Sequence, residues 1–352
     1  MAFLRGRRRI HHQDSKDDGN NNKIPLAQMA GEAADAAVKR IGMNNNQVVP
    51  VSSSSVHLLR RRGRGAYCNV YEASLTTTIG DDEEQQKFAV KRLRPQAMKN
   101  NKRWNFVSAA VDLASEAAIL SHLLHPNIIQ VRGIAAGPVE KSVASPDGFF
   151  VVLELLETTL TDQITLWGCS DMDRKGNQER KRALNERLMV ALQLARAIEY
   201  LHSQNIVHRD IKSDNVGMDA NGVVKLFDFG LAVKTAARPN GRPHLMREVA
   251  GTRNYMAPEM ALRRPYDQSV DVYSFGVLLW ELCSMEVAFE GYSTQTHMHR
   301  VVKGGDRPRL PFRWSRPLKS LVRNCWSHDA KKRPSMREVV QQLEKIVKAG
   351  KQ

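Results

Sequence analysis

The segment 270–282 (VDVYSFGVLLWEL) places apolar side chains on almost every side of a helix. A helix of this kind has no face for solvent, so it must lie inside a lobe large enough to enclose it. Upstream, Leu188, Leu192, Ala195 and Ile198 follow the spacing of one apolar helix face. The second half of the chain is therefore predicted to form a mainly helical lobe around a buried central helix.

The first half of the chain has a different pattern. Short apolar stretches predict strands near 57–62, 68–75, 87–92, 128–132 and 149–155. One helix is predicted at 104–124, ending before Pro126, because proline pushes the preceding residue out of the helical region. Strands with one helix, followed by helices, indicate two lobes of different class, at about 57–156 and about 157–348.

Two polar stretches are predicted to lie outside regular structure. The segment 78–86 (TIGDDEEQQ) is expected to be an exposed loop between strands. The segment 168–182 is expected to be a polar insert before a helix at 184–203.

Residues 1–56 have low apolar density, a basic start and asparagine-rich runs at 20–22 and 44–46. This composition predicts a disordered extension outside the fold, with a short helix at 30–41. The acidic residues Asp14 and Asp17 argue against an organellar transit peptide. The expected location is cytoplasmic, with the nucleus as the alternative suggested by the basic start.

The net charge of +16 raises the question of a nucleic-acid partner. Residues 1–56 contribute only +3 of this charge, so the excess is spread over the folded part. A diffuse basic surface names no partner, and no RNA-binding or zinc-finger spacing is present, so no specific nucleic acid is expected. No stretch reaches the roughly 20 apolar residues that span a bilayer. The four cysteines form no Cys-x-x-Cys pair and are interpreted as free thiols of a reducing compartment.

The run 208–215 (HRDIKSDN) brings together residues suited to phosphoryl transfer. Asp210 offers a carboxylate for a hydroxyl proton, Lys212 a cation for the charge of a moving phosphate, and Asn215 a neutral metal ligand. Asp228, in the run DFG, adds a second metal ligand. In-line phosphoryl transfer needs this set of groups.

These runs resemble the eukaryotic-type protein kinases over about residues 57–348. Lys212, two residues after the aspartate, is similar to the serine/threonine class, and Cys325-Trp326 resembles its tyrosine-kinase-like branch. The resemblance implies an α+β fold of two lobes, in which an antiparallel N-lobe sheet with one helix faces a mainly helical C-lobe. It also implies ATP and Mg²⁺ as cofactors and proteins with Ser/Thr hydroxyls as substrates.

The stretch 63–70 (GRGAYCNV) resembles the glycine-rich loop of the family. Gly63 and Gly65 would let backbone amides approach phosphate oxygens closely, and Cys68 stands where the family has a third glycine. In the family register, Lys91 would pair with the α and β phosphates, and Glu116 would orient Lys91.

The resemblance also implies the adenine contacts. Val70 and Ala89 would cover the ring, and the Glu154 carbonyl and the Leu156 amide would meet its edge. Gly217 stands where the family usually has a bulky aliphatic residue, which leaves the floor of this pocket open to question.

Three further roles follow from the family pattern. Thr252, in the peptide-positioning run 251–259 (GTRNYMAPE), would hydrogen-bond to Lys212 and Asp210. The other two roles are structural: Glu259 would pair with Arg333, and Asp271 would bind the backbone of the catalytic loop from the buried helix.

Regulation leaves two hypotheses. In the family, the arginine at the position of Arg209 often pairs with a phosphorylated residue. Thr235 is the only residue with a hydroxyl side chain between Gly230 and Gly251. Either Thr235 is the switch, or the loop is ordered without a phosphate.

Three other functions compete with a protein serine/threonine kinase. A pseudokinase would use the same fold as an interaction scaffold, and the departures at Cys68 and Gly217 keep that alternative open. A small-molecule kinase is disfavoured by the run 251–259, and a nucleic-acid binder rests on charge alone. The sequence leaves the oligomeric state open.

Overall fold

A computed structural model describes residues 26–41, 50–65, 67–79, 82–94, 103–135, 148–172, 176–235 and 245–350. After one N-terminal helix, these residues form a sheet with a single helix and then a mainly helical part. The two-lobed α+β architecture predicted from the sequence is therefore confirmed.

The small lobe is built on one six-stranded sheet. Its strands are β1 (Pro50–Val51), β2 (Val56–Arg64), β3 (Cys68–Ile79), β4 (Asp82–Leu93), β5 (Val131–Ala135) and β6 (Phe150–Glu154). The order is β1-β5-β6-β4-β3-β2, and only β1 and β5 pair in parallel. The parallel pair of β1 and β5 at the edge of this sheet differs from the purely antiparallel sheet that was predicted.

The loop predicted at 78–86 is wrong over most of its length. β3 and β4 pair continuously from Cys68 and Leu93 to Ile79 and Asp82, and only residues 80 and 81 lie outside the described part of the chain. The threonines at 76–78 are β-branched and favour extended backbone. A two-stranded ribbon satisfies its own backbone hydrogen bonds, so it tolerates the polar composition that suggested a loop.

The helix predicted at 104–124 is confirmed as α2 (Arg103–Leu120). It packs on β4 and β5 and on the turn 229–231 of the other lobe. No residue of α2 from Phe106 to Leu120 is exposed, and most are buried: Phe106, Ala109, Ala110, Leu113, Ala114, Glu116, Ala117, Ala118, Ile119 and Leu120. α2 therefore has no long polar face to present to water.

Part of the N-terminal segment differs from the prediction that residues 1–56 lie outside the fold. Residues 26–41 form α1 (Leu26–Ile41), which packs along α2. Ala30 and Ala34 of α1 are fully buried in the main apolar core. Alanine contributes little to apolar density in a sequence window, yet its small side chain lets two helices approach closely, so the composition concealed a packed helix. Residues 1–25 and 42–49 lie outside the described residues.

The large lobe surrounds the helix predicted at 270–282. Its helices are α3 (Leu160–Met172), α4 (Asn177–Ser203), α5 (Pro258–Ala261), α6 (Ser269–Ser284), α7 (Thr294–Thr296, continued by the π-helix His297–Lys303), α8 (Arg316–Cys325) and α9 (Met336–Gly350). Residues 270–284 of α6 are all buried, and α6 packs against α4 and α8. Among the helices of the described residues, none has the length and apolar character needed to cross a bilayer.

The polar insert predicted at 168–182 is also wrong. α3 continues to Met172 and α4 already begins at Asn177. The stretch that opens α4 (NQERKR) is exposed and rich in Gln, Glu, Arg and Lys, which are good helix formers. Exposed helix turns and exposed loops share this polar composition.

Five short strands complete the large lobe. They are β7 (Thr158–Thr159), β8 (Ile206–Val207), β9 (Val216–Met218), β10 (Val224–Leu226) and β11 (Val233–Lys234). β7, β9 and β10 form one small sheet, and β8 pairs with β11. These strands carry the loops at 208–215 and 227–231 to the edge of the small lobe.

Packing of α6 gives a stability prediction. A Cβ at Gly276 would lie 2.7 Å from the Cβ of Cys325 and 2.9 Å from the backbone nitrogen of Trp326. We expect Gly276→Ala to lower the free energy of unfolding by ~1–3 kcal/mol through overpacking, although alanine is the better helix former.

The matched control is Gly168→Ala in α3, where a Cβ meets nothing within 4 Å among the described residues. We expect this substitution to raise the free energy of unfolding by ~0.5–1 kcal/mol. Chemical denaturation measures both. A gain in stability for Gly276→Ala would contradict the close contact between α6 and α8.

Candidate active site

Lys91 joins the two lobes through two carboxylates. Its Nζ, on β4, lies 2.9 and 2.7 Å from the two carboxylate oxygens of Glu116 on α2 and 2.9 Å from Asp228 Oδ1 of the large lobe. Burial alone would lower the pKa of Lys91, but the charges of Asp228 and Glu116 raise it well above its usual range. The Lys91 ammonium in turn lowers the pKa of Asp228 to about 2. Lys91 and Asp228 are therefore both charged at neutral pH.

The catalytic loop brings four predicted residues within hydrogen-bonding distance. Thr252 Oγ1 donates to Asp210 Oδ1 at 2.8 Å and accepts from Lys212 Nζ at 2.8 Å. Asn215 Nδ2 donates to Asp210 Oδ2 at 2.9 Å, and Lys212 Nζ lies 3.1 Å from the same oxygen. The predicted bonds of Thr252 to Lys212 and Asp210 are confirmed. Asp210 is therefore oriented by neighbours on both of its oxygens.

The loop is anchored from below by Asp271 of α6, as predicted. Asp271 accepts the backbone N–H of His208 at 2.9 Å and of Arg209 at 2.8 Å, and His202 Nε2 lies 3.0 Å from it. Burial alone would raise the pKa of Asp271, but the bond and charge of His202 and the His208 amide lower it below its usual range. This buried anion fixes Arg209 in the left-handed region at φ 67°.

The peptide-positioning run is held by the same buried helix. The hydroxyl of Tyr255 donates to Glu281 Oε2 of α6 at 2.5 Å, and Ser274 donates to the Tyr255 carbonyl at 2.7 Å. Burial raises the pKa of Glu281 to about 7. Below the run, Arg333 contacts both Glu259 oxygens at 2.6 and 2.9 Å, which confirms that predicted pair.

Gly251 is required where this run meets the catalytic loop. Its φ is +98°, a conformation that side chains disfavour. A Cβ at Gly251 would also run into the carbonyl oxygen of Arg209. Glycine at this position lets Thr252 reach Asp210.

The roof of the cleft contains the predicted glycine-rich turn. Gly63 lies in β2, and Gly65 follows it and donates its N–H to the Cys68 carbonyl at 2.8 Å, so Cys68 closes the turn through its backbone. Directly after β4, Arg94 Nη1 donates to the Gly65 carbonyl at 3.0 Å. Behind the turn, Val70 pairs with Lys91 across β3 and β4. Residue 66 lies outside the described part of the chain.

The linker between the lobes has a contact that the sequence did not predict. Arg62, directly before Gly63, donates from Nη2 to the carbonyls of Leu156 and Glu157, each at 2.9 Å. The Glu154 side chain is also engaged, since it lies 3.0 Å from Lys225 Nζ. Ala89 pairs with Leu153 across β4 and β6. An arginine next to the first glycine of the turn was the only sequence signal for this bond.

The pocket floor next to Gly217 is filled by two neighbouring side chains. A Cβ on Gly217 would lie 2.8 Å from Leu156 Cδ1 and 3.4 Å from Phe227 Cε1. The side chains of Leu156 and Phe227 therefore occupy the space that an aliphatic residue at 217 would take. Phe227 was not among the predicted pocket residues, although an aromatic directly before Asp228 was visible in the sequence.

Arg209 has a carboxylate partner in the segment before the peptide-positioning run. Its Nη1 lies 3.3 Å from Glu248 Oε2, and its Nε donates to the Leu231 carbonyl at 2.7 Å. Thr235 is engaged elsewhere, because its N–H and its hydroxyl both donate to the Asn205 carbonyl, at 2.8 and 3.0 Å. Arg209 and Thr235 are therefore both engaged without a phosphate, which favours the second hypothesis at these two residues, whereas residues 236–244 of the loop lie outside the described part of the chain.

Residues 56–343 match a family model described as the protein kinase domain. The chain is 30% identical over 284 residues to the serine/threonine-protein kinase STY46 of Arabidopsis thaliana. This match covers 81% of this chain and 43% of that protein. It is 32% identical over 262 residues to the serine/threonine/tyrosine-protein kinase HT1 of Arabidopsis thaliana, covering 74% of this chain and 61% of that protein. The dual specificity protein kinase shkE of Dictyostelium discoideum is 29% identical over 289 residues. This match covers 81% of this chain and 36% of that protein. The chain thus spans less than two thirds of the length of these relatives.

The pocket floor gives one prediction. We expect Gly217→Leu to weaken ATP binding by about tenfold or more, because overpacking against Leu156 and the Thr158 carbonyl costs ~1–3 kcal/mol. The double variant Gly217→Leu/Phe227→Leu should recover part of the affinity, since it removes the aromatic ring from the same space. Titration calorimetry measures both. Tighter binding by the single variant would contradict this account of the floor.

The Arg209 contact gives another prediction. We expect Glu248→Gln to lower peptide phosphorylation roughly fivefold, the value of an exposed ion pair worth ~1 kcal/mol. Thr235→Ala should retain activity, because its hydroxyl bonds a backbone carbonyl away from Arg209. Stoichiometric phosphate at Thr235 in active protein, together with an inactive Thr235→Ala variant, would refute this prediction.

Proposed function

Because the chain belongs to the protein kinase family, we propose that it transfers the γ-phosphoryl group of ATP to serine and threonine hydroxyls of protein substrates. The observation that carries this proposal is the convergence of Lys91, Glu116, Asp210, Asn215 and Asp228 at one cleft. These residues come from both lobes and from separate parts of the sequence. Phosphoryl transfer depends on positioning and on electrostatic stabilisation, and this arrangement supplies both.

Each polar group has a definite part in the proposed reaction. Lys91, held by Glu116, would bind the α and β phosphates beneath the turn formed by Gly63, Gly65 and Cys68. Asp210, oriented by Thr252 and Asn215, would accept the hydrogen bond of the substrate hydroxyl and take up its proton late in the reaction. Lys212 would stabilise charge on the transferred group.

The donor set fits Mg²⁺, which the family generally uses with ATP. Asn215 gives its Nδ2 to Asp210, which leaves its amide oxygen as the ligand atom. Asp228 stays ionised beside Lys91 and offers a second hard oxygen. Mg²⁺ bound there would neutralise phosphate charge.

Adenine would lie between Val70 and Ala89 above and the Leu156 and Phe227 side chains below. The Glu154 carbonyl and the Leu156 amide would hydrogen-bond its edge, as the family resemblance implies. The Leu156 carbonyl already accepts from Arg62, so that oxygen is engaged before nucleotide enters.

Lys212 and its bond to Thr252 support serine and threonine as acceptors. Tyrosine is a second acceptor to be tested, because HT1 is a serine/threonine/tyrosine-protein kinase by name and shkE a dual specificity protein kinase. A cytoplasmic location, with the nucleus as the alternative, is also proposed, on composition alone.

The test is transfer of labelled phosphate from Mg-ATP to degenerate peptide arrays that contain Ser, Thr or Tyr. We expect transfer to Ser and Thr peptides and a loss of about 10²- to 10⁴-fold in Asp210→Ala, the range of general-base catalysis. Asp210→Ala should keep its thermal shift with Mg-ATP, which is worth about 2.7 kcal/mol at 100 times the dissociation constant. A shift in both proteins without transfer in either would indicate a pseudokinase scaffold instead.

A further inference from the structure

Glu116 of the Lys91–Glu116 pair lies on α2, and the strands β4 and β5 contact only part of this helix. No residue of α2 from Phe106 to Leu120 is exposed, so a second partner must cover the face that the sheet leaves free. Among the described elements, α1 packs along α2 more extensively than β4, β5 or the turn 229–231 does. The residues of α1 precede the matched domain, which begins at residue 56.

α1 is shaped for this contact. Ala30, Ala34 and the half-buried Val38 recur at intervals of four residues and form one apolar stripe in contact with the core. Glu32 and Asp35 lie on the exposed side of the helix. Small residues on both helices, such as Ala109 and Ala110 of α2, allow the two backbones to approach closely.

The position of α2 determines whether the cleft is complete. Glu116 lies in the last turns of α2, 2.7 Å from Lys91 Nζ, and α2 also contacts the turn that follows Asp228. A displacement of α2 would break the ion pair, leaving Glu116 without its cationic partner in a buried site and Lys91 paired with Asp228 alone.

We propose that α1 is a positioning element that holds α2 where Glu116 pairs with Lys91. The chain thereby supplies its own partner helix for the outer face of α2. The effect on turnover rests on the proposed kinase function, whereas the hold of α1 on α2 is a structural property that is measured separately.

The test compares Ala34→Glu with Ala36→Glu in the full chain. Both substitutions place the same charge on α1, but Ala34 is buried against the core and Ala36 is exposed. Hydrogen exchange of the α2 amides should accelerate in Ala34→Glu and stay at the wild-type rate in Ala36→Glu. Peptide phosphorylation by Ala34→Glu should show kcat lowered about 10- to 100-fold, as expected for misplacement by ~1 Å, with KM for peptide unchanged.

Two further measurements separate positioning from general destabilisation. A synthetic peptide of residues 24–43, added to Ala34→Glu, should slow α2 exchange and raise kcat. Ala34→Gly and Ala36→Gly carry the same loss of helix propensity, about 1 kcal/mol, and only the first should accelerate α2 exchange. They decide the matter if Ala34→Glu does not fold.

Equal α2 exchange and equal kcat in each matched pair would overturn the proposal. Accelerated α2 exchange with wild-type kcat would also overturn it, because the contact would then be structural only. If the wild-type protein transfers no phosphate, the proposed function fails, and the exchange comparison still decides whether α1 holds α2.

Discussion

The carboxylate of Asp271, buried in the central helix of the large lobe, is the interaction on which the cleft depends. It accepts two consecutive backbone N–H groups, from His208 and Arg209, and these bonds hold Arg209 at a positive φ. Because burial leaves these groups no water to bond with, losing the carboxylate would leave two donors unsatisfied. The same helix holds the run 251–259 through Glu281 and Ser274, so α6 fixes both this run and the loop 208–215.

Charged and polar contacts hold the small lobe to the large lobe. Lys91 bonds to Glu116 in its own lobe and to Asp228 in the other, and Arg62 bonds to the linker carbonyls. The Lys91–Asp228 bond joins the small lobe to the large lobe, and the Arg62 bonds join it to the linker. Hydrophobic packing alone is non-directional, whereas these bonds define one relative position of the sheet and the catalytic loop.

The sequence revealed the parts of the site that lie close together in the chain. The loop residues could be identified because their roles depend on spacing within one loop, as for Asp210, Lys212 and Asn215. The buried helix could be identified because apolar side chains lie on almost every side of 270–282. Contacts between distant segments were predictable only where both partners lie in motifs of the family, as for Glu259 and Arg333. Leu156 and Phe227 fill the space at Gly217, Glu248 meets Arg209, and Arg62 reaches the linker only because the fold brings them together. The short helix predicted at 30–41 is present as α1, but its packing on α2 was missed because alanine scores as weakly apolar although Ala30 and Ala34 are fully buried.

The Phe227 ring lies next to the space that a side chain at position 217 would fill, and this has a consequence for inhibitor selectivity. A ring at Phe227 presents an edge or a face with partial charges, which an aliphatic surface lacks. A synthetic compound whose heterocycle makes an edge-to-face contact with Phe227 would gain affinity that an aliphatic side chain at position 217 could not supply.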